Sequence, residues 1–79
     1  MFYTYVLESD NDGKRYVGWT KDLDERLKKH NSGKVFATKH RLPMKLVYYE
    51  ACLSQTKAIE REKQLKTGFG RGYLNRRLK

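Results

Sequence analysis

Four side chains in this sequence are of types that could do chemistry together: two phenols, Tyr5 and Tyr16, one guanidinium, Arg26, and one carboxylate, Glu62. A guanidinium offers a planar fork of donors and a permanent charge that suit a phosphate group. A carboxylate at a buried edge is costly unless it meets a cation or holds a metal. A phenol can donate, accept or, at a cost, lose its proton. That set suits phosphoryl chemistry. Each member also has a plainer use. The tyrosines fit as amphipathic strand aromatics with their hydroxyls in water. Arg26 fits as a helix arginine whose stem covers apolar surface. Glu62 fits as the partner of an arginine, or as a carboxylate bending outward.

The charge balance narrows the substrate. The 79 residues carry 18 Lys and Arg against 9 Asp and Glu, a net charge of +9. So large an excess predicts attraction to a polyanion, either nucleic acid or an anionic membrane. The sequence has no long apolar run, no signal peptide and no clear amphipathic anchor, which disfavours the membrane. Residues 57–79 alone hold eight Lys and Arg and two Glu. Lys34, Lys39, Arg41 and Lys45 are expected to form an outward cationic flap, with Arg71, Arg76 and Arg77 outward near the end of the chain. These seven are the expected nucleic-acid contacts; a solvated charged face is the alternative. Cys52 is the one cysteine, which excludes an intrachain disulfide and a thiolate zinc cluster. It fits as a small buried strand residue, and a reducing cytoplasm is expected.

The elements that must position these groups begin with a hairpin. YTYVLES and KRYVGWT alternate and flank the turn DNDG, the pattern of two strands joined by residues that tolerate positive φ. If Glu8 pairs with Gly13, Tyr5 lies opposite Tyr16 and both hydroxyls leave one face. Gly18 has no propensity reason to stand in a strand, and marks a bulge or a close approach by another group.

A helix follows, capped by Thr20 or Asp22 and ended by Asn31-Ser32-Gly33. Leu23 and Leu27 form its apolar contact, which puts Arg26 at the rim of the core. His30 shares a neighbouring face with Arg26. It is either a second contact to phosphate or a cation meeting the helix dipole.

Residues 34–45 lack a sustained period and fit a loop with one helical turn, Val35 and Phe36 tucking inward. Leu46–Cys52 fits a third strand, its apolar start suggesting burial on both faces. Ser54 caps a second helix, with Ala58, Ile59, Leu65 and then Phe69 along one stripe. Glu62 is three residues from both Ile59 and Leu65, on that stripe, while Glu60 faces solvent. Thr67–Gly72 fits a flexible C-cap and turn, with a backbone nest as the alternative. A short basic helix over YLNRRLK closes the chain, with Tyr73, Leu74 and Leu78 packing back on the sheet. The expected fold is one α+β domain over residues 1–79. It holds a small three-stranded antiparallel sheet flanked by helices, in the order β-β-α-loop-β-α-α.

Taken in order, Thr4-Tyr5, ten intervening residues, Tyr16-Val17-Gly18 and Arg26 eight residues on resemble the GIY-YIG nuclease domain. His30 and Glu62 match its later positions, and the likeness covers nearly the whole chain. It is strongest to small stand-alone members ending in a stretch like LKTGFGR. The glycine and isoleucine of the first motif are Tyr3 and Thr4 here, mostly strand positions.

The resemblance implies a metal-dependent endonuclease. Tyr5 would be the general base, with Tyr16 orienting the water or the phosphate. Arg26 would brace the transition state, His30 would complete the catalytic set, and Glu62 would hold one Mg²⁺ or Mn²⁺. A phenol with a pKa of ~10 is only ~0.1% ionised at pH 7, a deficit of ~4 kcal/mol, which nearby cations can reduce. The expected substrate is DNA in preference to RNA, and the protein a monomer or weak dimer. Two rivals are a non-catalytic basic binding module on the same fold and a ribosome assembly protein.

Overall fold

The central strand of the sheet is buried on both faces, Thr4, Tyr5, Val6 and Leu7 all lying inside. A computed structural model of the protein describes residues 1–78. It contains β1 (Phe2–Ser9), β2 (Arg15–Thr20), α1 (Leu23–Asn31), β3 (Met44–Cys52), α2 (Gln55–Leu65) and α3 (Gly68–Arg77). The sheet is antiparallel in the order β2-β1-β3, and the fold is α+β. Successive β1 residues point to opposite faces. Val6 packs with Val17, Leu65 and Leu74 on the side of α2 and α3. Tyr5 and Leu7 pack with Met44, Leu23, Leu27 and Leu42 on the side of α1 and the loop after it.

The hairpin register, which the sequence leaves open, is two residues from a Glu8–Gly13 pairing. Glu8 pairs with Arg15, Leu7 with Tyr16 and Tyr5 with Gly18. The turn is longer than the DNDG stretch suggests. The Ser9 hydroxyl accepts from the amides of Asn11 and Asp12, and Ser9 N–H donates to the Lys14 carbonyl at 3.0 Å. Gly13 closes this turn at φ +70°, so it is not free to pair in a strand. A shift of two preserves the side-chain period. Tyr5 and Tyr16 therefore still share a face, offset along it.

Asp22 caps α1 by accepting from Glu25 N–H, and Ser54 caps α2 by accepting from Lys57 N–H. The far end of α1 is tied to β3 by Asn31, whose amide exchanges two hydrogen bonds with the backbone of Met44 at 2.9 and 2.8 Å. This tie starts β3 at Met44, two residues before the apolar run. As an edge strand, β3 is only partly buried, not covered on both faces. Tyr48, Glu50 and Tyr73 join β3 to α3 by hydroxyl contacts, and Arg61 of α2 donates to Glu50 at 2.9–3.0 Å.

Four further expectations fail. Phe36 and Phe69 are exposed; Lys39 lies over the Phe36 ring at 5.2 Å, and Thr38 is the buried residue of that loop. Cys52 is half-buried, its thiol donating to the Ser54 carbonyl. Thr67–Gly72 is neither a turn nor a nest but the cap and first turn of α3, the Thr67 hydroxyl accepting from Gly70 N–H. Gly70 is buried against the end of α2, where a Cβ would strike the Leu65 backbone. Leu74 is buried in the same contact, with Tyr73 and Leu78 packed beside it. Lys79 lies outside the described residues. Among those described, no helix is long and apolar enough to cross a membrane.

Candidate active site

Pairing Tyr5 with Gly18 is what opens the site. The Tyr5 ring crosses the place where a side chain would stand on β2. A Cβ there would lie 2.6 Å from Tyr5 Oη and 3.1 Å from Tyr16 Cε2. Gly18 is therefore a close-approach glycine, not a bulge. The two phenol rings stand 6.4 Å apart. Tyr5 is buried and Tyr16 half-buried.

α1 brings His30 against both rings, 5.8 Å from Tyr5 and 5.0 Å from Tyr16. Its Nε2 is 2.9 Å from Tyr5 Oη, and its Nδ1 is 2.7 Å from the hydroxyl of the buried Thr38. Burial, and then the charge of Arg26, push the imidazole down to about 4. His30 is thus neutral near pH 7 and fully enclosed. It is neither a helix-end cation nor a surface contact for phosphate, but the hydrogen-bond partner that fixes the Tyr5 hydroxyl.

Arg26 and Glu62 reach the same phenol from different elements. Burial is the main reason that Tyr5 titrates well above the ordinary tyrosine range; Tyr16 adds to the rise, Arg26 opposes it, and Glu62 adds to it. A guanidinium on α1 and a carboxylate on α2 thus act on one hydroxyl with opposite sign. The basic surroundings do not lower this phenol as expected, because burial outweighs Arg26. Arg26 is half-buried and lines a hollow of about 380 Å³ with Trp19 and Gln55.

The Glu62 side chain is 13% exposed and pairs with Lys66 one helical turn on. It therefore meets a lysine, not an arginine. No cluster of three or more His, Cys, Asp or Glu stands together among the described residues.

The expected phosphate contacts divide into two groups. Lys34, Lys39, Arg71, Arg76 and Arg77 are exposed, although Arg77 also lies over the Tyr73 ring at 5.1 Å. Arg41 and Lys45 do not stand free. Arg41 Nε donates to Asp12 at 3.1 Å and its carbonyl accepts from Ser9 at 2.6 Å. Lys45 pairs with Asp10 at 3.3 Å and Glu8 at 3.9 Å. Both residues brace the hairpin turn.

Two residues of the site escape the motif reading. Thr38 lies in a loop without a period, so nothing in the sequence points to it. Lys66 is legible in principle, being four residues after Glu62 on one helix.

A model of the GIY-YIG catalytic domain matches residues 1–76. A UPF0213 protein of Syntrophus aciditrophicus is 46% identical over 66 residues, 81% of this chain and 75% of that protein. One from Staphylococcus epidermidis is 41% identical over 66 residues, 82% of this chain and 79% of its own length. The solution NMR structure of a UPF0213 protein from Bacillus halodurans covers 94% of this chain and 82% of its own. It has a TM-score of 0.56 at 38% identity. With its model matched over nearly the whole length, the chain belongs to the GIY-YIG family, and membership implies a nuclease acting on nucleic acid.

Proposed function

We propose that the protein is a divalent-metal-dependent endonuclease that hydrolyses phosphodiester bonds, in DNA in preference to RNA, at the cluster of Tyr5, Tyr16, Arg26, His30 and Glu62. The observation that carries this reading is the Tyr5 hydroxyl. It rests on the unprotonated imidazole of His30 within electrostatic reach of both Arg26 and Glu62.

The residues fit a metal of one kind. Glu62 is a largely buried carboxylate that already holds a cation, the Lys66 ammonium. With no second acidic ligand beside it among the described residues, the fitting ion is one that keeps its waters and accepts one carboxylate plus substrate oxygens, as Mg²⁺ and Mn²⁺ do. Glu62 would hold such an ion in place of the Lys66 ammonium, and the ion would supply stabilisation of the leaving oxygen.

Arg26 braces the phosphate and the charge that develops on it. Tyr5 Oη takes the proton of the attacking water while its own passes to His30 Nε2. Thr38, on Nδ1, keeps the ring oriented. Tyr16 orients the water or the phosphate from the open side.

Burial holds the proton on the Tyr5 phenol and keeps the His30 imidazole weakly basic, so proton transfer between them is uphill in the resting protein. The resting protein therefore keeps Tyr5 neutral; an incoming anionic phosphate raises His30 and the phenol together, so lowering of the phenol falls to Arg26 and to a cation held by Glu62.

A non-catalytic binding module is the second reading. The Lys66–Glu62 pair favours it, because that carboxylate is already neutralised. Cleavage separates the two. The protein should nick supercoiled DNA with Mg²⁺ or Mn²⁺, and EDTA should abolish the activity. Glu62→Ala and Arg26→Ala should each lose ~100-fold or more in rate while unfolding cooperatively. Linear, branched and supercoiled DNA all left intact with either metal would leave the binding module.

A further inference from the structure

Beside the tyrosine pair, the outer edge of β2 faces a hollow of about 650 Å³ that adjoins the proposed site at Tyr16. It is larger than the hollow next to Arg26 and falls within the ~300–1,000 Å³ of sites that take small organic groups. Its wall is apolar where Val17, Leu65 and Leu74 meet. Its rim is cationic, with Lys14, Lys66 and Arg71, and no Asp or Glu lines it.

Three features say what belongs there. Tyr16 lines this hollow and its ring meets the Tyr5–His30 cluster, so the hollow and the cluster share the β2 edge. Lys66 lies on the rim and pairs with Glu62, so the hollow also touches the metal-holding side of the site. β2 is an edge strand, and such a strand leaves alternate backbone N–H and C=O groups free to meet polar edges. An apolar wall, free backbone groups and a ring of cations match the three parts of one nucleotide: base face, base edge and phosphate. A base inside a duplex is stacked on both faces and cannot enter a concavity.

We infer that this hollow seats one unpaired nucleotide flanking the scissile phosphate, so that the preferred substrate carries a single-stranded segment next to the cut. The inference rests on the nucleic-acid reading of the site.

It is tested without cleavage. The full chain, in EDTA, is titrated with a short single-stranded oligonucleotide and, separately, with a blunt hairpin duplex at the same salt. Amide NMR shifts are followed at Val17, Leu74 and Asn75. The single strand should shift these amides saturably and bind ~tenfold tighter than the hairpin. Arg71→Glu, at an exposed position, should remove most of that preference. Unmoved amides, equal affinities, or a preference that survives Arg71→Glu would overturn the inference. An occupied hollow in a protein that never cuts DNA would sink the nuclease reading alone. Cutting with the hollow unmoved would sink this inference alone.

Discussion

His30 carries the sharpest consequence at the scale of single residues. It is held at about 4 in the fold against 6.5 in the unfolded chain. Between those values the unfolded state binds the extra proton, so acid favours unfolding. The stability is therefore fully present above pH 6.5 and falls as pH drops toward 4, by about 3 kcal/mol. Urea denaturation across that range should show the slope, and His30→Gln should flatten it. Spacing and family order single out Tyr5, Tyr16, Arg26 and Glu62 in the sequence as the candidates. The use of His30 is not legible. Its environment depends on Thr38, which an aperiodic loop delivers, and on a Tyr5 ring that lies over Gly18 only in the observed register.

Among the elements, the hairpin and α3 teach the same lesson about glycine. Gly13 and Gly70 look alike as turn residues in the string. One stands at positive φ in a turn, and the other is buried in a helix against a neighbouring backbone. Local propensity argues for a turn at Thr67–Gly72, while the contact of α3 with Leu65 makes it helical, a tertiary override of a weak preference. Caps, by contrast, are local hydrogen bonds, and Asp22 and Ser54 are readable as such. Gly70→Ala separates the two effects. Alanine improves helix propensity by ~1 kcal/mol, but its Cβ meets backbone that cannot rotate away. We expect the clash to win, with a net loss of about 1–3 kcal/mol in urea unfolding. A stabilised variant would mean that α3 does not dock so closely on α2.

For the molecule as a whole, the net charge of +9 is readable from composition, but the identity of the free cations is not. Arg41 and Lys45 pair with carboxylates of the hairpin turn that are distant in sequence. Lys34 is exposed at the end of α1 and makes no such pair among the described residues. Lys34→Ala should weaken oligonucleotide binding and reduce its salt slope by ~1, with stability unchanged. Arg41→Ala should do the reverse, costing about 1 kcal/mol of stability with little change in slope. Fluorescence anisotropy across a salt series, beside urea melts, measures both. Equal slopes for the two variants would mean that the hairpin tie opens on the substrate.

The proposed chemistry turns on a single oxygen atom, the Tyr5 hydroxyl beside His30. Tyr5→Phe removes it and leaves the buried ring in place over Gly18. Metal-dependent nicking of supercoiled DNA by this variant should fall by ~10²–10⁴-fold, with DNA affinity close to that of the parent protein. Nicking by Tyr5→Phe at the parent rate would show that this phenol takes no part in the chemistry.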